Sequence, residues 1–134
     1  MIILTVDEVI ALQKKLIEKT GGSHGLLNRD LLESAIFSAQ SSFGENEAYP
    51  TVEEKAARLM FALTNNHSFV DGNKRIGVMV MLMTLHLNGI SLYYTQDELI
   101  ELGLSVASGK CDYDDVLTFV FMHKNKETKN VWKL

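Results

Sequence analysis

The sequence predicts a single all-α domain, and three observations lead to that expectation. Apolar residues recur at helical spacing along most of the chain, helix-capping pairs precede these stretches, and no run alternates with period two for long enough to build a sheet. With 134 residues, 46% of them hydrophobic and 22% charged, the chain has the composition of one globular domain. We therefore expect a compact helical domain over residues 1–123, built around one buried helix.

Helix starts are marked by a side chain that can accept a hydrogen bond from exposed amides, with an acid three residues later. Four pairs fit this pattern: Thr5 with Glu8, Asp30 with Glu33, Thr51 with Glu54, and Thr95 with Glu98. The first helix is expected to stop at Gly21-Gly22, because glycine readily takes the left-handed conformation that ends helices. A second helix is expected from about Asn28 to Gln40, and a further helix is expected to begin near Asp112.

The most apolar stretch is residues 73–88, which is hydrophobic almost all round and predicts the central buried helix. The segment 41–50 holds glycine, acids and the only proline, so a helix cannot simply continue through it. We expect a flap there, with room for a small β-hairpin. Residues 124–134 are expected to form a polar C-terminal tail.

Charge and hydropathy exclude several classes of function. The net charge is −4 and no segment concentrates Lys or Arg, so direct nucleic-acid binding is not expected. The longest apolar run, residues 76–82, is far shorter than the roughly 20 residues that span a bilayer, and no membrane role is expected. The N-terminus does not resemble a signal peptide, which predicts a cytoplasmic protein.

The segment that carries chemistry is residues 67–75, HSFVDGNKR, between two predicted helices. It ends at the start of the central helix, where unpaired amides and the positive end of the helix dipole favour phosphate oxygens. Gly72 and Asn73 tolerate positive φ, so the turn can aim successive N–H groups into one concavity. Lys74 and Arg75 add positive charge. The segment therefore predicts an anion site suited to a nucleotide.

Two further residues of the segment supply what phosphate chemistry needs. Magnesium prefers one or two carboxylates together with phosphate oxygens and water, and Asp71 is the carboxylate at hand. His67 is the one side chain of the segment that ordinarily exchanges a proton near neutral pH, so it can act as a general base. The competing interpretation is a simple turn leading into a solvated helix end, because Asp-Gly, Gly-Asn and Lys-Arg pairs also serve that purpose.

The segment resembles the Fic-superfamily signature HxFxDGNxR, which it matches at His67, Phe69, Asp71, Gly72, Asn73 and Arg75. Lys74 indicates the Doc family within it, since most Fic enzymes carry glycine at that position. Those enzymes also have an arginine three residues after Arg75, where this chain has Val78. The stretches HGLLNRDLLESAI, SSFGENEAYP and VASGKCDYDDV are similar to Doc as well, so the resemblance spans about residues 4–123.

The resemblance implies a role for each residue of the segment. His67 would be the general base and Asp71 the magnesium ligand. The binders of ATP, or of another nucleoside triphosphate, would be Gly72, Asn73, Lys74 and Arg75. The resemblance further implies a toxin of a toxin–antitoxin pair that transfers the γ-phosphate to a hydroxyl of elongation factor Tu. A Phd-like antitoxin would be its partner, and the flap at 41–50 would align the target.

Two alternatives stand beside this interpretation. The first is a Fic-like transferase that moves AMP to a protein hydroxyl, and the second is a partner-binding module without turnover. In AMP-transferring Fic enzymes the second arginine fixes the terminal phosphate so that the α-phosphate faces the hydroxyl, which Val78 cannot do. The intact His67, Asp71 and Asn73 argue against a module without turnover.

Overall fold

The computed structural model describes residues 1–23 and 25–124. This part of the chain contains six helices: α1 Val6–Thr20, α2 Arg29–Ser38, α3 Val52–Asn66, α4 Asn73–Leu87, α5 Gln96–Ala107 and α6 Tyr113–Lys124. Between α2 and α3 lie two short strands, β1 Ser42–Phe43 and β2 Asn46–Glu47. The predicted all-α domain with a small hairpin is confirmed. The tail predicted for 124–134 lies outside the described residues, except for Lys124, which ends α6.

Three of the four predicted capping pairs are confirmed, and the second helix begins near Asn28 as predicted. Thr5 and Thr95 form complete capping boxes with the glutamates three residues later, and Thr51 accepts a hydrogen bond from the amide of Glu54. Gly21 ends α1 with a φ of 83°, as its position after the last helical residue predicted. The chain therefore enters and leaves its helices mostly where local chemistry provides the partners.

The predicted cap of α2 at Asp30 is wrong. Asn28 is the N-cap instead, with an extended backbone and a side chain that accepts from the amide of Leu31. Asp30 lies inside the first turn of α2, where its charge interacts favourably with the helix dipole. Because the N-cap must have a non-helical backbone, a residue two positions into the helix cannot serve as one.

The helices α3 and α4 form the centre of the fold. α3 packs against α2, α4, α5 and α6, while α4 packs against α1, α3 and α5. Each of the two hydrophobic clusters draws on both helices: Leu59 and Ile76 belong to one, Met60 and Met81 to the other. The prediction of a central helix at 73–88 therefore holds for α4, but α4 shares the centre with α3.

One side of α4 is less enclosed than its composition predicted. Met79, Leu82 and Met83 are only partly buried, and Leu87 is 40% exposed. The reason is that α2 and α6 pack mainly against α3. Within the described ranges no helix is both long and apolar enough to cross a membrane.

The hairpin at 42–47 is exposed but anchored at its base. Ser42 pairs with Glu47 across the strands, and Gly44 takes a φ of 64° in the turn. The buried Lys55 of α3 donates from Nζ to Glu47 Oε1 at 2.8 Å and to the carbonyl oxygen of Ala39 at 3.2 Å. This lysine therefore connects the second strand and the end of α2 to the centre of the fold.

The close crossing of α3 and α4 depends on Gly77. A Cβ atom at this position would lie 2.4 Å from Thr64 Oγ1 and 3.0 Å from the carbonyl oxygen of Met60. We therefore expect Gly77→Ala to lower the free energy of unfolding, since overpacking a core contact costs about 1–3 kcal/mol. Urea denaturation monitored by circular dichroism measures this loss.

Gly103→Ala in α5 is the matched control. A Cβ there would make ordinary contacts, 3.7 Å from Val78 Cγ2 and 3.9 Å from Lys74 Cβ. Alanine is favoured over glycine inside a helix by roughly 1 kcal/mol, so this variant should be as stable as the parent or more stable. Equal changes in the free energy of unfolding of Gly77→Ala and Gly103→Ala would contradict a tight crossing of α3 and α4 at Gly77.

Candidate active site

The loop between α3 and α4 begins with a reversal of the chain at His67. This residue ends α3 in the left-handed conformation, with φ 51° and ψ 45°. Among the residues that the structure describes, it is the one non-glycine residue with a positive φ. Such a conformation costs on the order of 1 kcal/mol and persists only where the surroundings fix it. The reversal leaves the His67 side chain exposed.

A short antiparallel bridge ties the loop to the segment 25–27. The amide of Leu27 donates to the carbonyl of Ser68 at 2.8 Å, and the amide of Val70 donates to the carbonyl of Gly25 at 3.0 Å. The first of these bonds provides a partner for the carbonyl of the buried Ser68. The loop is therefore held by the turn that follows α1 as well as by its own helices.

The side chain of Asn73 closes the loop from the other end. Its Nδ2 donates to the carbonyl of Phe69 at 3.0 Å, and its Oδ1 accepts from the amide of Phe69 at 3.1 Å. Phe69 is 1% exposed, so both of its backbone groups depend on these partners. The carboxamide is thereby held inside the loop, and the backbone N–H of Asn73 lies in the first turn of α4.

The start of α4 offers the donors of an anion site. Gly72 is the N-cap with φ 78° and ψ 17°, and no side chain caps the first turn. Its own amide donates to Asp71 Oδ1 at 2.8 Å. The first-turn amides at 73–75 precede the earliest bond of the helix, which runs from Ile76 to the carbonyl of Gly72. These amides therefore form the positive end of the helix dipole, and the N-cap residue provides no side-chain acceptor for them.

A cavity of about 300 Å³ opens at this helix start, and all six predicted site residues line it. The full lining is Thr64, His67, Val70, Asp71, Gly72, Asn73, Lys74, Arg75 and Ala107. The structure therefore brings the predicted general base, the predicted metal ligand and the predicted phosphate binders to one place.

The Asp71 carboxylate is held in its charged form. Its Oδ1 accepts from the Gly72 amide, its Oδ2 accepts from the Ser23 amide at 3.3 Å, and Arg75 Nη2 lies 3.6 Å from Oδ1. The hydrogen bond from Gly72, followed by that from Ser23, lowers the pKa of Asp71 below its ordinary 3.8, and the nearby charges of Arg75 and Lys74 act in the same direction.

These surroundings fit a magnesium ion that arrives with a nucleotide. The side chain of Asp71 is 46% exposed and lines the same cavity as the free amides of α4. Over residues 1–23 and 25–124, no cluster of three or more acidic, histidine or cysteine side chains is assembled for a metal. The remaining ligands would therefore be phosphate oxygens and water, which is the mixture that magnesium prefers.

Arg75 is oriented by α1 as well as by Asp71. Its Nη1 donates to the hydroxyl of Thr20 and to the carbonyl of Gly21. Lys74, the next residue towards the helix start, is exposed and lines the same cavity. The two cations therefore differ: one guanidinium is held by the protein, while one ammonium extends into solvent.

The position of the second arginine of Fic enzymes is partly buried in this chain. Val78 packs against the cluster shared by α3, α4, α5 and α6, and its Cγ2 lies against Gly103 of α5. Ala107, at the end of α5, forms one wall of the cavity. The side chain at this position of α4 therefore contacts α5.

Sequence reasoning missed three residues of the cavity wall, Thr64, Val70 and Ala107. Thr64 precedes His67 by three residues on α3, so its helical spacing was a signal that could have placed it beside the site. Val70 lies within the motif but is apolar. Ala107 comes from a helix that tertiary packing brings to the site, and no local pattern marks it.

The hydrogen bonds of Asn73 generate a stability prediction. Asn73→Ala removes both partners of the buried Phe69 backbone groups, and leaving such groups unpaired costs about 1–3 kcal/mol. We expect that loss in the free energy of unfolding, measured by urea denaturation. Asn66→Ala is the control, because its amide donates at 3.3 Å to Leu31 in an exposed position. If Asn73→Ala lowers the free energy of unfolding no more than Asn66→Ala does, the hydrogen bonds of Asn73 do not stabilise the loop.

Comparison with known proteins agrees with this geometry. The model of the Fic/DOC family matches residues 3–85. The chain is 35% identical over 98 residues to "Toxin Doc" of Mycolicibacterium smegmatis, an alignment covering 72% of this chain and 75% of that protein. It is 28% identical over 113 residues to "Protein kinase doc" of Escherichia phage P1, covering 84% and 88%.

The matched region contains α1 to α4 up to Leu85, and with them the whole loop from His67 to Arg75. The motif that indicated Doc in the sequence thus lies inside the region shared with the family. The chain belongs to the Fic/DOC family, as a Doc-type member of the Fic superfamily.

Proposed function

We propose that the protein is a toxin of a toxin–antitoxin pair that transfers the γ-phosphate of ATP, or of another nucleoside triphosphate, to a hydroxyl of a target protein. One observation carries the proposal: a single cavity holds an exposed His67, a charged Asp71 and the uncapped start of α4. The names of the two relatives, a toxin and a protein kinase, support it.

The start of α4 binds the phosphates. The left-handed Gly72 leaves the first-turn amides open, and phosphate oxygens accept from them at the positive end of the helix dipole. Lys74 contributes a point charge, and Arg75 can bind phosphate oxygens with two parallel hydrogen bonds. Asp71 would hold magnesium, which when bound neutralises charge on the phosphates. These groups orient the nucleotide for in-line attack.

His67 takes the proton of the attacking hydroxyl. As the hydroxyl oxygen bonds to the γ-phosphorus, the bond from that phosphorus to the β–γ bridging oxygen breaks, and the nucleoside diphosphate leaves with the bond electrons. The proton moves from the hydroxyl to the imidazole of His67. His67 is exposed at the cavity edge, so a segment of another protein can reach it.

The nucleotide orientation distinguishes phosphate transfer from AMP transfer. AMP transfer would need a second cation that holds the terminal phosphate away from His67, and Val78 occupies that position within the contacts to α5. With the terminal phosphate bound at the α4 start instead, the γ-phosphorus faces the general base. This is the feature that favours the kinase over the nucleotidyl transferase.

The partners belong to the same proposal. Elongation factor Tu is the proposed target, in the cytoplasm, and a Phd-like antitoxin is proposed to cover the active-site groove. The hairpin at 42–47 is proposed to align the target, and its Phe43, 78% exposed, gives an apolar contact for a bound segment. Residues at the anchored base of the hairpin keep that contact in a defined position.

Isotope transfer tests the reaction type. The protein is incubated with purified elongation factor Tu and magnesium, using ATP labelled either at the α- or at the γ-phosphate. We expect γ-label on the target, and we expect His67→Ala to lower the rate by about 10²–10⁴-fold, since a positioned base contributes that much. Transfer of α-label would replace the kinase with a nucleotidyl transferase, and no transfer of either label would contradict catalysis on this target.

Nucleotide binding tests the phosphate site separately from turnover. We expect Lys74→Ala and Arg75→Ala to weaken ATP binding in calorimetry, because each removes a positive charge from the cavity. Asp71→Asn should weaken binding only when magnesium is present. Lys15→Ala, an exposed change on α1 away from the cavity, is the charge control. If all three cavity variants bind ATP with the parental affinity, residues 67–75 serve only as a turn that leads into α4 and do not bind phosphate.

A further inference from the structure

The turn that follows α1 lies directly against the carboxylate of Asp71. A Cβ atom on Gly22 would lie 2.5 Å from Asp71 Oδ2 and 3.3 Å from its Cγ. The amide of the next residue, Ser23, donates to the same oxygen at 3.3 Å. The glycine pair predicted as a helix stop therefore has two uses: Gly21 ends α1, while Gly22 makes room for the acid.

A buried side chain of α1 holds the backbone of the same residue. Gln13 is 3% exposed, and its Nε2 donates to the carbonyl oxygen of Asp71 at 3.2 Å. A glutamine is rarely buried to this extent without a partner, because an unpaired amide in the interior is costly. α1 therefore contacts Asp71 at two points, the main-chain carbonyl and the carboxylate.

These contacts restrict Asp71 in a way that the α4 start alone does not. The amide of Gly72 and the guanidinium of Arg75 both lie at Oδ1. Oδ2 is set by Ser23 and by the absence of a side chain at Gly22. Gln13 also fixes the peptide plane that contains the Asp71 carbonyl. The carboxylate therefore keeps one orientation towards the cavity.

We propose that Gln13 and Gly22 are positioning residues for Asp71, which fix the orientation of its carboxylate for magnesium before a nucleotide arrives. Neither residue lines the cavity, so both act on Asp71 from outside it. Residues that orient a metal-binding side chain typically change metal affinity by about 10–100-fold when they are replaced. The inference rests on the proposed use of Asp71 with magnesium and a nucleoside triphosphate.

Gly22→Ala tests the inference, with Gly21→Ala as its matched control. Both glycines have positive φ, 117° and 83°, but a Cβ at Gly21 would meet nothing within 4 Å. The substitution at Gly21 also leaves its carbonyl, the acceptor for Arg75, in place. Strain from the left-handed backbone is therefore common to both variants, and the clash with the Asp71 carboxylate belongs to Gly22 alone.

The measurement is ATP binding by calorimetry in magnesium and in EDTA, so that no turnover on a target is needed. We expect the parent and Gly21→Ala to bind ATP more tightly with magnesium. Gly22→Ala should lose about 10–100-fold in apparent magnesium affinity and keep the parental affinity in EDTA. An unchanged magnesium effect in Gly22→Ala would overturn the inference, and so would an equal loss of affinity in EDTA.

Gln13→Met gives a second route that does not depend on backbone strain. Methionine keeps the length and flexibility of the side chain but cannot donate to the Asp71 carbonyl. We expect a smaller loss of magnesium affinity with EDTA affinity retained, and parental magnesium affinity in Gln13→Met would overturn the role proposed for Gln13. If the parent itself binds ATP without any magnesium effect, the proposed role of Asp71 fails first, so the two failures are distinguishable.

Discussion

The site depends on the two hydrogen bonds between the Asn73 carboxamide and the backbone of Phe69. They join the first residue of α4 to the middle of the loop that leaves α3, so the reversal at His67 and the open start of α4 occur at a fixed distance. The side chain of Phe69, buried in the core, carries the same constraint into the packing of α1 to α4. His67 and the uncapped start of α4 are thereby parts of one hydrogen-bonded turn.

The second constraint is electrostatic and comes from α1. The end of this helix supplies a carbonyl and a hydroxyl for Arg75, and the turn beyond it supplies an amide for Asp71. The site without ligand therefore satisfies its own charges: the guanidinium and the carboxylate each have partners within the protein. The proposed nucleotide with magnesium would replace part of these contacts with stronger ones, since phosphate carries more charge than a carbonyl.

The contiguous motif made the site largely predictable from sequence. A helix start, a glycine in the left-handed region and the charged pair Lys74-Arg75 are local features, and the structure gathers them in one cavity. What sequence could not supply depends on long-range packing. The contact of Gln13 with Asp71 spans 58 positions, and the wall at Ala107 requires α5 to pack on α4. The start of α2 near Asn28 was predicted, but the capping pair was assigned to Asp30, because both residues have suitable side chains and only the backbone decides between them.

The most direct test of this account is a crystal structure of the protein with magnesium and a non-hydrolysable ATP analogue. The account predicts phosphate oxygens on the amides at the start of α4, magnesium on Asp71, and the γ-phosphorus as the phosphorus atom nearest to the imidazole of His67. A complex with the α-phosphorus nearest to His67, or with the nucleotide bound away from this cavity, would contradict it.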